Sequence, residues 1–356
     1  HLRSFCRKEK ESAQYISGHF SEKRKCLRMP KYSEYLVRRW QHLRKEGFER
    51  SSFVTGYEIT PDSILEEIED SHCSCDGTSR ERSSDLAHKD LLKLQYTSEV
   101  WIAELGAADN DHTRTVCADV VDEKWEHVQE RMQPEYSEYM AKRVTQKLRN
   151  LTDVLDNEFF ETNRTQPCPQ LSVDRLKELH KKLMKDLLDK PGEFRTRHAR
   201  PSSQPSTQYL QPSRIPARLT TLLSFVNDQV GSLREQYEAN NKSERTEKAK
   251  MFILLGALYF SEFLFIHPFP NGNGRTARIS LNLLLTDVCE VPFSLFVCPP
   301  LCDESARSLY LKTLSMVHEC MTAGQQSVLP TALATYILLC IQRHCGMMRY
   351  ELVSEE

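Results

Sequence analysis

Net charge is nearly absent from this sequence. Across 356 residues, 48 Lys and Arg stand against 50 Asp and Glu, which leaves −2 at neutral pH. So close a balance argues for no class of partner. The charge is local instead. Residues 1–50 hold fourteen basic side chains against six acidic ones, a balance of +8, so the remainder carries −10. A basic leading segment suits either an anionic partner, nucleic acid or lipid, or a plain solvated helical face; the solvated face is the expectation, with no nucleic acid bound. Uninterrupted apolar runs of membrane length are also missing. Residues 252–269 come closest, but Glu262 breaks them and a polar loop after His267 ends them. They read as a buried core helix, and no membrane span is expected.

Twelve cysteines are present, yet no zinc pattern is. Cys73 and Cys75 form a C-x-C without a second pair at zinc-site distance. Cys289, Cys298 and Cys340 sit in apolar runs and read as small core residues. This usage leans towards a reducing compartment, the cytoplasm, while sequons at Asn150, Asn163 and Asn241 keep a secretory location open. The chain opens on His1 and so reads as a fragment or a processed chain, with anything upstream out of view. No run of alternating strands occurs, which makes the fold class mainly α.

The length admits two ordinary domains, or one large one with an extension. Residues 1–144 read as a helical N-terminal region, with a polar loop near 72–87 and a helix over Leu91–Ala107. All three tryptophans, Trp40, Trp101 and Trp125, lie in this part, which implies some core of its own. Tyr32–Arg44 and Tyr136–Arg149 both begin Tyr-Ser-Glu-Tyr and continue basic, either a degenerate repeat or coincidence. Residues 135–160 read as one helix or two joined ones. Leu171–Leu188 is amphipathic, with Ser172 as cap, an apolar stripe of Leu176, Leu179, Leu183 and Leu187, and Pro191-Gly192 as stop. His180 on that helix reads as packing. Residues 196–216 carry four prolines and are loop. Helices follow over Ala217–Val230, then from an Asn241/Glu244 capping pair to Ile266, from near Arg275 onward, and near 303–321 and 329–343. Residues 346–356 form a tail.

The stretch of most chemical interest is 263–278, Phe-Leu-Phe-Ile-His267-Pro-Phe269-Pro-Asn271-Gly272-Asn273-Gly274-Arg275-Thr-Ala-Arg278. An apolar run ends at a histidine, a turn with two glycines follows, and two arginines open a new helix. Glycines let the backbone approach an anion, and free N–H groups at a helix N-terminus bind one. Arg275 and Arg278 are three apart, on one helix face. His267 would stand at the rim as a base near neutral pH. Taken singly, each feature has a plainer reading: a core histidine, two surface arginines, a turn.

Together they closely resemble the Fic family motif, His-x-Phe-x-(Asp/Glu)-Gly-Asn-Gly-Arg-x-x-Arg. Seven of eight specified positions match; the eighth is Asn271 in place of the carboxylate. The run Leu176 to Met184, with Pro191-Gly192-Glu193-Phe194-Arg195-Thr196 after it, is similar to the early part of Fic domains, and the resemblance runs over about 145–345. It implies a Fic-type helical domain with a small β-hairpin flap near 196–216 that aligns a target segment by strand addition. It implies transfer of AMP from ATP to a Ser, Thr or Tyr hydroxyl of a target protein or of the chain itself. His267 would be the base. Gly272, Asn273, Gly274, Arg275 and Arg278 would hold nucleotide phosphates, with Asn273 binding a phosphate oxygen or fixing the loop. Phe269 would anchor the loop from inside. ATP would come with Mg²⁺ or Mn²⁺, and the metal position, Asn271, is weakened by its missing charge. Thr152 to Asn157 fits the spacing of the family's inhibitory helix, with Asp156 where a Glu would pair with Arg278. A transferase of another phosphate-linked group and a catalytically weak nucleotide-binding module are the alternatives. Gly274 argues against a phosphate-transferring relative, in which the motif's second Gly is Lys. Self-association stays open.

Overall fold

A computed structural model describes residues 93, 97, 111–133, 136–157, 170–200, 208–236, 242–289, 333, 334 and 337. Within them lie seven helices: α1 (Asp111–Val121), α2 (Trp125–Met132), α3 (Glu138–Leu155), α4 (Val173–Leu183), α5 (Ile215–Gln236), α6 (Lys242–Ile266) and α7 (Asn273–Cys289). A 3₁₀ turn, Pro212–Arg214, leads into α5. No strand occurs among the described residues, so the fold is mainly α, as the pattern predicts. The loop near 72–87, the helix near 303–321, Trp40, Trp101, Cys298, Cys340, the Asn241 cap and the tail lie outside the described residues. Of the helices expected over Leu91–Ala107 and 329–343, the described positions 93, 97, 333, 334 and 337 are helical and buried.

Helix α6 is central. From Met251 to Leu264 its side chains are buried on every side except at Leu258. By length and composition Glu247–Ile266 could cross a membrane, but here its apolar faces are taken up by α5 and α7. Glu262 enters this core beside Arg218, whose guanidinium donates to it at 2.8 Å. Burial pushes the Glu262 carboxyl above the usual range, and Arg218 works against that push.

The apolar interior falls into two clusters, with α4 and α7 as the wall between them. Leu176 of α4 and Ala277, Leu281, Leu284 and Leu285 of α7 face the cluster around α5 and α6. Leu179 and Leu183 of α4 and Ile279 and Leu283 of α7 face the cluster built by α1, α2 and α3. A division at residue 144/145 falls inside α3, whose buried stripe Ala141, Val144, Leu148, Leu151 and Leu155 runs across it.

Local signals held unevenly. Ser172 caps α4 by accepting the Arg175 N–H at 3.1 Å. The helix ends at Leu183, not Leu188: the chain turns at Asp186, with φ +59°, and Leu187 is buried from the turn. Gly192 has φ +87°, the conformation the Pro191-Gly192 stop requires. Helix α5 begins two residues before the expected start, led in by a 3₁₀ turn with Pro212 at its first position, and it runs to Gln236. The Asn150 sequon is no surface site. Asn150 is 2% exposed, and its amide donates to the carbonyls of Leu183 and Lys185.

Phe260 is fully buried at the middle of α6. Phe260→Ala should lower unfolding free energy by about 3–5 kcal/mol, read as a shift of the urea midpoint at unchanged slope.

Candidate functional site

The site forms where α6 ends and α7 begins. Helix α6 stops at Ile266, and His267 takes φ +47°, a left-handed conformation that histidine adopts more readily than most residues. Its N–H still donates to Phe263 O at 2.9 Å. Phe269 then points inward and is fully buried, as expected. Asn273 holds it there, its Oδ1 accepting the Phe269 N–H at 2.9 Å and its Nδ2 donating to Phe269 O at 2.7 Å. Of the two roles expected for Asn273, the geometry therefore displays loop fixing. Gly272 has φ +76°, and a Cβ there would lie 2.7 Å from Met184 Sδ. Glycine answers both demands. At Gly274 a Cβ would come 3.2 Å from an Arg278 Nη, so the Arg278 guanidinium lies close over the first turn of α7.

Arg275 and Arg278 are 3% and 7% exposed. The plain surface reading of two arginines at i, i+3 is thereby overturned. Two buried guanidiniums add to the positive end of the α7 dipole and to the N–H groups of its first turn, a combination that favours an anion.

His180 is more than packing. Gly192 N–H donates to its Nδ1 at 2.8 Å, so the proton sits on Nε2, which donates to Asn271 O at 2.9 Å. Its ring stacks on Phe269 with centroids 3.9 Å apart. Burial lowers its pKa to about 4; the bond to Asn271 O opposes the drop and the Arg275 charge adds to it. A neutral His180 thus ties α4 to the motif loop.

Arg195 is the other tie. Its Nε donates to His267 O at 2.6 Å, one Nη to Arg197 O at 2.9 Å, and the other to Ile266 O at 3.2 Å and to Leu210 O. Its N–H donates to Pro268 O at 2.9 Å. Where a β-hairpin flap was expected, the described residues on either side are irregular. Tyr209 N–H to Ala199 O, 3.3 Å, joins the two arms, and Leu210 N–H reaches Phe265 O at 3.2 Å. The Tyr209 ring stacks on the His267 ring. An arginine or tyrosine at these positions carries no sequence signal of its own; only the fold aims them at the loop.

Asp156 follows α3 directly, and its Oδ2 lies 2.9 Å from the buried Lys93 Nζ. Lys93 is 3.5 Å from Glu123 as well. Asn271 is exposed, and its Oδ1 accepts the Gly272 N–H at 2.7 Å. Among the described residues no three of His, Cys, Asp and Glu group as metal ligands. Mg²⁺ favours carboxylate and phosphate oxygens at octahedral positions. One neutral amide oxygen already in a hydrogen bond does not fit a Mg²⁺ site held by protein.

Two outcomes follow from this geometry. The His180 pKa is depressed in the folded chain, so its contribution is present above about pH 6.5 and is lost as pH falls towards 4. Between pH 7.5 and 5 the wild type should lose about 2 kcal/mol more stability than His180→Gln, measured by urea unfolding at both pH values. Asn271→Asp adds one charge near the loop, worth about 1 kcal/mol or roughly fivefold. It should lower by that factor the Mg²⁺ concentration for half-maximal ATP binding in a calorimetric titration; no change would place residue 271 away from any metal.

Comparison with known proteins agrees with this architecture. Residues 170–285 match the family model described as Fic/DOC family, a narrower span than 145–345. A search of curated proteins finds no match. Among solved structures, a Fic-domain-containing signaling protein from Bacteroides thetaiotaomicron is similar at TM-score 0.51 and 16% identity, covering 80% of this chain and 96% of that one. A Fic family protein from Desulfovibrio desulfuricans is similar at 0.50 and 17%, covering 84% and 76%. Fic-1 from C. elegans is similar at 0.51 and 16%, covering 81% and 73%. At these identities the likeness concerns the fold. The segment 170–285 that matches the Fic/DOC family model holds His267, the two-glycine loop and both buried arginines.

Proposed function

We propose that the chain is a protein adenylyltransferase, moving AMP from ATP to a hydroxyl of a target protein or of itself. The observation that carries this reading is the juxtaposition at the α6–α7 junction. A histidine on a constrained backbone stands eight residues before a pair of buried arginines on the first turns of a helix. The match of residues 170–285 to the Fic/DOC family model supports transferase chemistry in general; the choice of AMP rests on the motif and on the residues' chemistry.

In this reading His267 takes the proton from the attacking hydroxyl, worth about 10²–10⁴-fold. The hydroxyl oxygen bonds to the α-phosphorus of ATP. The bond from that phosphorus to the bridging oxygen breaks, and pyrophosphate leaves with the electron pair. Arg275, Arg278 and the α7 N-terminus offset the charge that develops on it. The backbone N–H groups around Gly272 to Gly274 would hold the phosphates. Mg²⁺ would come with the nucleotide, and Asn271 would add little to hold it. Asp156 would restrain the reaction by pairing with Arg278, and the Lys93 contact competes for its carboxylate.

A second reading, a nucleotide-binding module without turnover, is favoured by one feature, the uncharged Asn271. Mass spectrometry after incubation with ATP and Mg²⁺ separates the two. The adenylyltransferase gains an adenylyl adduct on the chain or its target; the module gains none. His267→Ala should reduce the adduct rate by at least about 10²-fold while leaving ATP affinity within about twofold, since other groups hold the phosphates. A rate within a few-fold of wild type would remove His267 from the role of base.

A further inference from the structure

Something must set the plane of the His267 ring. Its backbone is held twice, by the N–H bond to Phe263 O at 2.9 Å and by Arg195 Nε on its carbonyl at 2.6 Å. Neither bond reaches the imidazole, and rotation about a histidine's last side-chain bond is soft. The ring is met by Tyr209, whose own ring lies parallel to it, centroids 3.8 Å apart and planes within 6°. Tyr209 does not drift with solvent. Its N–H is bonded to Ala199 O, and the next residue is bonded through its N–H to Phe265 and through its carbonyl to Arg195. Burial raises the Tyr209 phenol above its ordinary pKa, against the pull of Arg195. Near neutral pH it therefore presents an uncharged aromatic face and no competing base.

We propose that Tyr209 is a positioning residue for the transfer reaction, its ring holding the His267 imidazole in the plane from which the base takes the substrate proton. The inference rests on the adenylyltransferase reading. It adds that the backbone of the base is set by one arm of the 193–211 segment, through Arg195, and its ring by the other arm, through Tyr209. A π face also attracts the imidazolium that forms when the proton arrives, so the contact strengthens as the reaction proceeds.

The test uses the full chain as wild type, Tyr209→Phe and Tyr209→Leu. Tyr209→Leu should lower kcat for AMP transfer about 5–10-fold with KM for ATP unchanged, and Tyr209→Phe should stay within about twofold of wild type. In ¹³C-histidine-labelled protein, the His267 ring signals are assigned by their loss in His267→Ala. They should lie upfield in the wild type and Tyr209→Phe, from the ring current, and move downfield in Tyr209→Leu. The proposal falls if Tyr209→Leu keeps its kcat and its imidazole signals. It falls equally if KM rises at constant kcat, which would make Tyr209 a substrate contact, or if Tyr209→Phe is as damaging as Tyr209→Leu. Should Tyr209→Leu not fold, the wild-type and Tyr209→Phe signals decide: without an upfield shift the stack does not hold the ring. Should the wild type transfer no AMP, the reaction assignment fails, and the imidazole signals alone decide whether Tyr209 holds the ring.

Discussion

A single guanidinium gathers the site. Arg195 is 5% exposed, and burial lowers its pKa from the ordinary value, with the nearby Tyr209 opposing. A charge taken out of water needs strong acceptors around it. Arg195 finds them in the carbonyls of Ile266, His267, Arg197 and Leu210. Two of these lie at the C-terminal end of α6, where the helix dipole is negative and its last carbonyls lack partners within the helix. The bonds bind a helix end, the residue after it and both arms of the loop into one piece. His267 keeps its left-handed backbone because this setting over-determines it.

His180 does the corresponding work from the other side. Arg195 grips the loop at its entrance, and His180 grips it at Asn271, using one nitrogen on the loop and the other on Gly192. The bare backbone at Gly272 lets Met184, at the end of α4, pack against the turn. Between these two ties the loop has little freedom, and Asn273 closes it on itself through Phe269. On the proposed reading such rigidity would arrange the loop's N–H groups before the anion arrives.

The two apolar clusters extend this outward. Helix α7 presents Leu281 and Leu285 to one and Ile279 and Leu283 to the other. Helix α3 packs on α4, and α4 packs on the helix whose first turns carry Arg275 and Arg278. Asp156, directly after α3, is paired with Lys93.

The sequence by itself determined much of this protein: the mainly helical class, the cap at Ser172, the stripe of Leu176, Leu179 and Leu183, the buried α6, and the string from His267 to Arg278. Those signals are local, written in spacing within one or two turns. Tertiary structure alone decided the rest. The end of α4 at Leu183 is set by the burial of Leu187 from a turn, which helical periodicity cannot anticipate. Asn150 reads as a glycosylation signal in one dimension, yet in three its amide closes the carbonyls after α4. Arg275 and Arg278 share a face by spacing, but whether that face is wet or buried depends on neighbours far away in sequence. Arg195 and Tyr209 matter only because the fold sets them against residues more than fifty positions away, and no local pattern encodes a contact over that separation.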